Sequence, residues 1–198
     1  MLPAAVPDRA AALRTRPPGG WAPPGRLVEL CAGPDGARTT VAALALCEAQ
    51  AEGDPVAWVL PRDGGAGPFP PDLRAAGVDL DALLVVHVPH ETVAAARAAE
   101  IVLRTGAFGA VVLDLSASRE GLLRASWQGR LLALAREHSS RLVVLAPADR
   151  EGLGSLVSLR WGVRRARACP ERYRIEGTVI KDKSGGQRDV TVLAAGPE

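Results

Sequence analysis

The stretch at residues 27–42, L-V-E-L-C-A-G-P-D-G-A-R-T-T-V-A, decides the fold of this 198-residue chain. Its first five residues, Leu27–Cys31, form a short apolar run that predicts a buried strand. A turn rich in glycine, proline and aspartate follows, and an alanine-rich helix is expected to begin at Arg38 or Thr39. A strand, a tight turn and a helix in this order are typical of an α/β fold, and also of loops that bind phosphate.

The turn can be compared, residue by residue, with the phosphate-binding pattern G-x-x-x-x-G-K-[ST], which has the same strand–turn–helix setting. The glycines of that pattern allow a positive φ and a close approach of the backbone to a phosphate. Alanine occupies both glycine positions here, and its Cβ obstructs the positive φ as well as the close approach of the backbone. The aligned positions are, in order, Ala32, Gly33, Pro34, Asp35, Gly36, Ala37, Arg38 and Thr39.

The remaining positions of the turn also depart from the pattern. Arg38 replaces the compact lysine charge with a wide planar guanidinium. Asp35 adds a carboxylate where an anion should be received, and Pro34 removes an N–H donor. Thr39 alone keeps the residue type of the pattern. We therefore interpret the turn as an ordinary connection or a vestigial nucleotide site, and we expect no hydrolysis.

The bulk composition limits the class of protein. A hydrophobic fraction of 47% and a charged fraction of 23% indicate one soluble α/β domain, and a net charge of +2 is too small to indicate nucleic-acid binding by itself. Cys31, Cys47 and Cys169 lie far apart without a C-x-x-C pair, so we expect a reducing cytoplasm and no metal site. No signal peptide or membrane-spanning run is recognisable in the sequence, which also predicts a cytoplasmic location.

The chain is expected to divide into an arm at residues 1–24 and a core domain at residues 25–198. Prolines and glycines interrupt the arm, and Trp21 is its expected anchor, against either this domain or a partner. In the core, apolar runs predict strands at 27–31, 56–60, 83–88, 110–115 and 141–146, and helices at 41–51, 73–76, 90–104 and 121–137.

The end of the chain is expected to differ from this alternation. Three strands without an intervening helix are predicted at 156–168, 173–181 and 188–194, and the turn at 183–186 is typical of a hairpin. Continuous apolar strands separated by helices indicate a parallel sheet covered on both faces. The sequence therefore predicts a three-layer α/β/α domain whose parallel central sheet carries an antiparallel C-terminal hairpin extension.

Over residues 18–194 the order of features resembles the core domain of the RecA recombinase family. The resemblance rests on P-P-G-R-L-V-E-L at 23–30, G-V-D-L-D-A-L-L-V at 77–85, G-A-V-V-L-D-L-S at 109–116, the run at 159–167, and the segment 173–183 with its two lysines. It implies a RecA-like, P-loop-type fold in which Asp114 matches the magnesium-supporting aspartate. It also implies that Lys181 and Lys183 lie at a subunit boundary, facing the nucleotide of a neighbouring subunit.

Departures from the family pattern change the expected function. Arg62 stands where the family has a catalytic glutamate, and arginine cannot act as a general base. The two loops that would grip DNA, after Asp114 and after Ala146, are short, so we expect weak or absent DNA binding. We expect no enzyme activity and no cofactor. The vestigial site would comprise Gly33, Asp35, Gly36, Arg38, Thr39 and Asp114, although Asp114 could instead simply cap the turn after its strand.

A RecA-like core with these losses resembles the ImuA family of accessory proteins, with the SulA type of cell-division inhibitor as a more distant relation. The resemblance implies a non-catalytic adaptor in SOS-induced translesion mutagenesis. Its implied partners are RecA and ImuB, an inactive polymerase, and through ImuB an error-prone C-family polymerase. Lys181 and Lys183 would form the partner interface.

Two alternatives remain open at the level of sequence. The first is a divergent NTPase that binds ATP and magnesium through Arg38, Thr39 and Asp114. The second is a DNA-binding module. Its arginine surface would hold phosphates or an acidic partner. Alternatively, these arginines only protect a solvated strand edge. The surface comprises Arg164, Arg165, Arg167, Arg172 and Arg174.

Overall fold

The computed structural model describes residues 16–32, 36–62, 67–89, 91–117, 123–146, 152–169 and 172–195, with the backbone alone at 167–169, 172–173 and 193–195. Its strands are β1 Leu27–Cys31, β2 Val56–Pro61, β3 Leu83–Val88, β4 Ala110–Asp114, β5 Arg141–Leu145, β6 Leu159–Cys169, β7 Arg172–Asp182 and β8 Val190–Ala195. Its helices are α1 Arg38–Ala51, α2 Pro70–Ala75, α3 Thr92–Arg104 and α4 Ala125–Glu137, with one 3-10 turn at Leu80–Ala82.

The strands form one sheet in the order β3-β2-β4-β5-β1-β6-β7-β8. Every pairing from β3 to β6 is parallel, while β7 pairs antiparallel with both β6 and β8. The prediction of a mainly parallel sheet with an antiparallel C-terminal extension is therefore confirmed. β1 lies between β5 and β6, which places the beginning of the stretch at 27–42 near the centre of the sheet.

Helix ends differ from the sequence prediction where proline and turn residues are involved. The short helix predicted at 73–76 spans Pro70–Ala75 instead, because proline fits the first turn of a helix, where an N–H has no partner. The helix predicted from residue 90 begins at Thr92, and α4 begins at Ala125 rather than at residue 121. Residues 90 and 118–122 lie outside the described ranges.

Two apolar cores lie on opposite faces of the sheet, which explains the continuous apolar strands. The first packs α1 and α2 against alternate residues such as Val28 and Val112. The second packs α3 and α4 against the intervening residues, such as Leu27 and Val111. These layers agree with the predicted three-layer arrangement. Within the described ranges, no helix combines the length and apolar character that a membrane span requires.

Trp21 anchors the N-terminal arm to the first core. Its side chain is 1% exposed and packs edge-to-face on Trp161, with the ring centroids 5.3 Å apart. The indole N–H of Trp161 donates to the Trp21 carbonyl at 3.0 Å, and the Trp21 N–H donates to the Glu48 carboxylate at 2.9 Å. Burial raises the pKa of Glu48, although hydrogen bonds from Trp21 and Ala22 act in the opposite direction. The sequence left open whether Trp21 anchors the arm on this domain or on a partner, and in this structure it packs on the chain's own domain.

The anchoring role predicts a large cost for truncating the indole. We expect Trp21→Ala to lower the free energy of unfolding by about 3–5 kcal/mol, because it removes a fully buried aromatic side chain. Urea denaturation followed by circular dichroism measures this loss. Phe69→Ala is the control, since Phe69 is 61% exposed and should change stability by about 0.5 kcal/mol or less. Equal losses in both variants would contradict the anchoring role.

Candidate functional site

The candidate site is the crevice at the carboxyl ends of β1, β4 and β5, beside the N-terminus of α1. Ligands of open α/β sheets bind at such an edge. Gly33 and Asp35, both predicted members of the site, lie outside the described residues. Ala37 is buried at the N-cap position of α1 and offers no side-chain cap, while Thr39 is exposed on the first turn. Gly36 is half-buried immediately before this turn.

Arg38 crosses from the start of α1 to the end of β5. Its guanidinium Nη1 donates a hydrogen bond to the carbonyl oxygen of Ala146, the residue after that strand. The cation at the position of the phosphate-binding lysine is thus bound to the protein's own backbone. A hydrogen bond between an ionised donor and a carbonyl is among the stronger kinds in proteins. The arginine joins two elements of the crevice, a function that the sequence alone did not indicate.

Asp114 lies at the same end of the sheet, and both of its oxygens accept hydrogen bonds. Oδ1 accepts from the N–H of Ser116 at 3.0 Å and from its hydroxyl at 2.5 Å. Oδ2 accepts from the indole Nε1 of Trp58 at 3.4 Å. These contacts are those of a carboxylate that caps the turn after its strand. They do not include Arg38 or Thr39, the other two residues of the alternative ATP site.

Two further features bear on the chemistry of the crevice. Arg62, at the position of the family's glutamate, is exposed, and its N–H donates to the carbonyl of Val88 at 2.8 Å. Among the described residues, no group of three histidine, cysteine, aspartate or glutamate side chains could hold a metal ion.

A buried ion pair behind the crevice was not predicted from the sequence. Glu29 of β1 is fully buried, and its Oε2 lies 2.6 Å from the Nε of Arg160 on the neighbouring strand β6. Its Oε1 accepts the N–H of Leu153 at 2.7 Å, and Arg160 also donates to the Leu153 carbonyl. Burial, and next the Glu29 carboxylate, raise the pKa of Cys31 to about 11. The pair fixes the segment before β6, and its one sequence signal is the glutamate inside L-V-E-L-C.

The Glu29–Arg160 pair predicts unequal effects for its two partners. Arg160→Ala should lower the free energy of unfolding by about 3–5 kcal/mol, because it leaves a fully buried carboxylate without its counter-charge. Glu29→Gln should cost less, because the Arg160 side chain is 20% exposed and can be hydrated. Urea unfolding of both variants measures which one loses more stability. A larger loss in Glu29→Gln than in Arg160→Ala would contradict this prediction.

The hairpin between β7 and β8 carries the predicted partner interface. Lys181 Nζ donates to the carbonyl oxygens of Gly154 and Ser155 at 3.3 and 3.2 Å. Partial burial, and next the charge of Lys183, lower the pKa of Lys181. The Lys183 side chain is exposed, while its N–H donates to the Ser158 carbonyl at 3.0 Å. The two lysines therefore lie at the same end of the hairpin. Lys181 is held by hydrogen bonds to two carbonyls, whereas the Lys183 side chain is accessible.

Asp182, between these lysines, organises the turn. It accepts from the N–H and hydroxyl of Ser184 and from the N–H groups of Gly186 and Gln187 at 2.7–2.9 Å, and it pairs with Arg26 at 3.4 Å. Although burial acts the other way, the hydrogen bonds from Ser184, Gln187 and Gly186 lower the pKa of Asp182 well below its usual range. The carboxylate must be ionised to accept all of them.

The lowered pKa predicts a pH-dependent contribution to stability. Since the folded state favours ionised Asp182, its contribution is fully present above the ordinary pKa of 3.8 and is lost as the pH falls through the folded value. Asp182→Asn should therefore be less stable than the wild type at neutral pH, and this difference should shrink below pH 3.8. Asp81→Asn, at an exposed position, is the control. A difference that does not vary with pH would contradict the assignment.

The structure divides the predicted arginine surface between the two faces of the C-terminal strands. Arg164 and Arg174 both pair with Glu176 on one face, and the hydrogen bond from Arg164 lowers the pKa of that carboxyl. Arg165 lies opposite Ile175, so its side chain belongs to the other face. The side chains of Arg167 and Arg172 lie outside the description. The described members thus do not form one continuous cationic face.

Comparison with known proteins finds partial similarity to RecA. The chain is 36% identical to the RecA protein of Cutibacterium acnes over 111 residues, which are 56% of this chain and 31% of that protein. It is 39% identical to RecA of Corynebacterium jeikeium over 95 residues and 38% identical to RecA of Clostridium acetobutylicum over 95 residues. These matches cover 48% of this chain and 24% and 26% of those two proteins. No family model matches the chain.

The match spans less than a third of each of these relatives. Together with the mainly parallel sheet and its antiparallel extension, it supports a RecA-like core.

Proposed function

We propose that this protein is a non-catalytic RecA-like adaptor of the ImuA kind, which acts in the cytoplasm in damage-induced translesion mutagenesis. It would work by binding RecA, an ImuB-type inactive polymerase, or both. The observation that carries the proposal is the hydrogen bond from Arg38 to the Ala146 carbonyl. The side chain expected to meet a phosphate is instead part of the protein's internal framework.

The neighbouring residues support the same proposal. A triphosphate is bound by bare backbone N–H groups at a helix N-terminus together with a flexible lysine. Here a buried alanine, Ala37, precedes α1, and Asp114 already accepts three hydrogen bonds. A protein whose Arg38 and Asp114 are already engaged by its own groups can still act by presenting surfaces to partners.

RecA is proposed as a partner because the chain resembles the RecA family. The resemblance to the RecA family implies that Lys181 and Lys183 correspond to a position at the subunit boundary of that family's assemblies. A chain that keeps both cations but lacks its own nucleotide loop would suit the end of a RecA filament. It could complete the site of a neighbouring RecA subunit and offer no site for the next one. Lys183 is the accessible cation for this contact, and Lys181 is positioned by two carbonyls.

A divergent ATP-binding protein is the second candidate. Arg38, Thr39 and Asp114 lie at one end of the sheet, and Thr39 is exposed, which is what such a site would need. Its weakness is that Arg38 and Asp114 are engaged with other groups. A DNA-binding module is less well supported, because Glu176 pairs with both Arg164 and Arg174.

The partner contact predicts a loss of RecA affinity when the hairpin charges are reversed. RecA saturated with a non-hydrolysable ATP analogue would be titrated onto the immobilised protein. The double variant Lys181→Glu/Lys183→Glu should bind at least about tenfold more weakly, a change of about 1.4 kcal/mol. Lys183→Glu alone should show much of this loss, because only Lys181 supports the segment before β6.

Arg188→Glu is the matched control, since it makes the same charge change at an exposed position outside the two lysines. Retained RecA affinity in the double variant would exclude the filament-cap form of the proposal. An equal loss in Arg188→Glu would show that only the general charge matters.

A further inference from the structure

A second cationic surface lies on the outer side of α3 and α4, on the sheet face opposite α1. We call it the α3–α4 arginine surface. It consists of Arg97, Glu100, Ile101 and Arg104 from α3 with Arg130 from α4. The α3 residues share one stripe, because positions three, four and seven residues apart meet on one side of a helix. Neither the crevice nor the hairpin lysines belong to this surface.

Glu100 holds two of the arginines in place. Arg104 Nη2 lies 2.5 Å from Glu100 Oε1, and Arg130 Nη1 lies 3.7 Å from Oε2 of the same carboxylate. The Glu100 side chain is only 11% exposed, whereas those of Arg104 and Arg130 are 68% and 59% exposed. Each guanidinium has five N–H donors, so one buried carboxylate leaves most of them facing solvent. The guanidinium of Arg130 also stacks at 5.1 Å from the centre of the Trp127 ring, which further limits its motion.

A shallow, open depression lies against α3 and is lined by Arg97, Glu100, Ile101, Arg104 and Thr105. Three arginines around one glutamate give the surface a net charge of +2. Among the described residues, Arg97 makes no ion pair. Ile101 is 68% exposed and lies on the same helix stripe as Arg97 and Arg104.

We propose that the α3–α4 arginine surface binds an acidic peptide segment of a partner protein. Carboxylates of the segment pair with the guanidinium groups of Arg97, Arg104 and Arg130, which match carboxylate geometry with paired donors. An apolar side chain of the segment packs on Ile101. An inorganic phosphate could use the arginines but would gain nothing from Ile101. A single-stranded nucleic acid would require an open aromatic face for stacking, and Arg130 covers the Trp127 ring.

This inference concerns a site separate from the crevice and the hairpin, so it stands whether or not the protein binds RecA. Its test uses the full chain and a short fluorescein-labelled peptide in which leucines alternate with glutamates and aspartates. Fluorescence anisotropy should give micromolar binding that weakens as salt is added, because exposed charges are screened. A peptide with lysines in place of the acidic residues should not bind.

Two substitutions separate the charged and the apolar contribution. Arg97→Glu should weaken acidic-peptide binding at least about tenfold, because it reverses an exposed charge that has no ion-pair partner among the described residues. Ile101→Ser should weaken binding of the leucine-containing peptide, but it should not affect a peptide with serine in place of leucine. The control is Arg74→Glu, an exposed arginine on α2 across the sheet, which should bind like the wild type. Thermal unfolding of each variant confirms that the fold is retained.

Three outcomes would overturn the proposal. The first is an acidic peptide that does not bind the wild type. The second is an equal loss of binding in Arg74→Glu and Arg97→Glu, which would reduce the effect to overall charge. The third is competition by millimolar inorganic phosphate or a short single-stranded DNA that abolishes peptide binding while Ile101→Ser has no effect.

Discussion

The burial of β1 on both faces is the constraint on which the rest of this structure depends. Leu27 faces the core under α3 and α4, Val28 faces the core under α1, and β5 and β6 pair with the strand on either side. A strand with no exposed face must place its polar residues against partners, and Glu29 does so with Arg160 and Leu153. The same position brings the end of β1, the start of α1 and the end of β5 together.

The crevice that results has the location of a ligand site but the contacts of a structural one. In parallel sheets, this edge collects the strand ends that usually hold a ligand. Here Arg38 reaches the end of β5, Asp114 caps its own turn, and Trp58 contacts the remaining carboxylate oxygen. A phosphate would have to compete with these bonds. The adaptor proposal builds on this competition and assigns function to surfaces outside the crevice.

Local patterns in the sequence predicted the fold well. Apolar runs separated the strands, and the absence of a helix after residue 156 predicted the antiparallel end of the sheet, because these signals reside within each segment. The contacts within the candidate site were harder to predict from the sequence. The departures from the phosphate-binding pattern are visible at Ala32, Ala37 and Arg38, but the carbonyl that receives Arg38 is more than a hundred residues away along the chain. The pairing of Glu100 with Arg130 could not be predicted from the sequence for the same reason, since only the packing of α3 on α4 brings the two residues together.

Isothermal titration of the purified chain with ATP and magnesium tests the central claim most directly. The claim is that a turn with side chains at its glycine positions, and with its arginine bound to a backbone carbonyl, does not hold a triphosphate. The account predicts no heat of binding beyond that of dilution. A micromolar dissociation constant, equivalent to about 8 kcal/mol of binding free energy, that disappears in Arg38→Ala would contradict it.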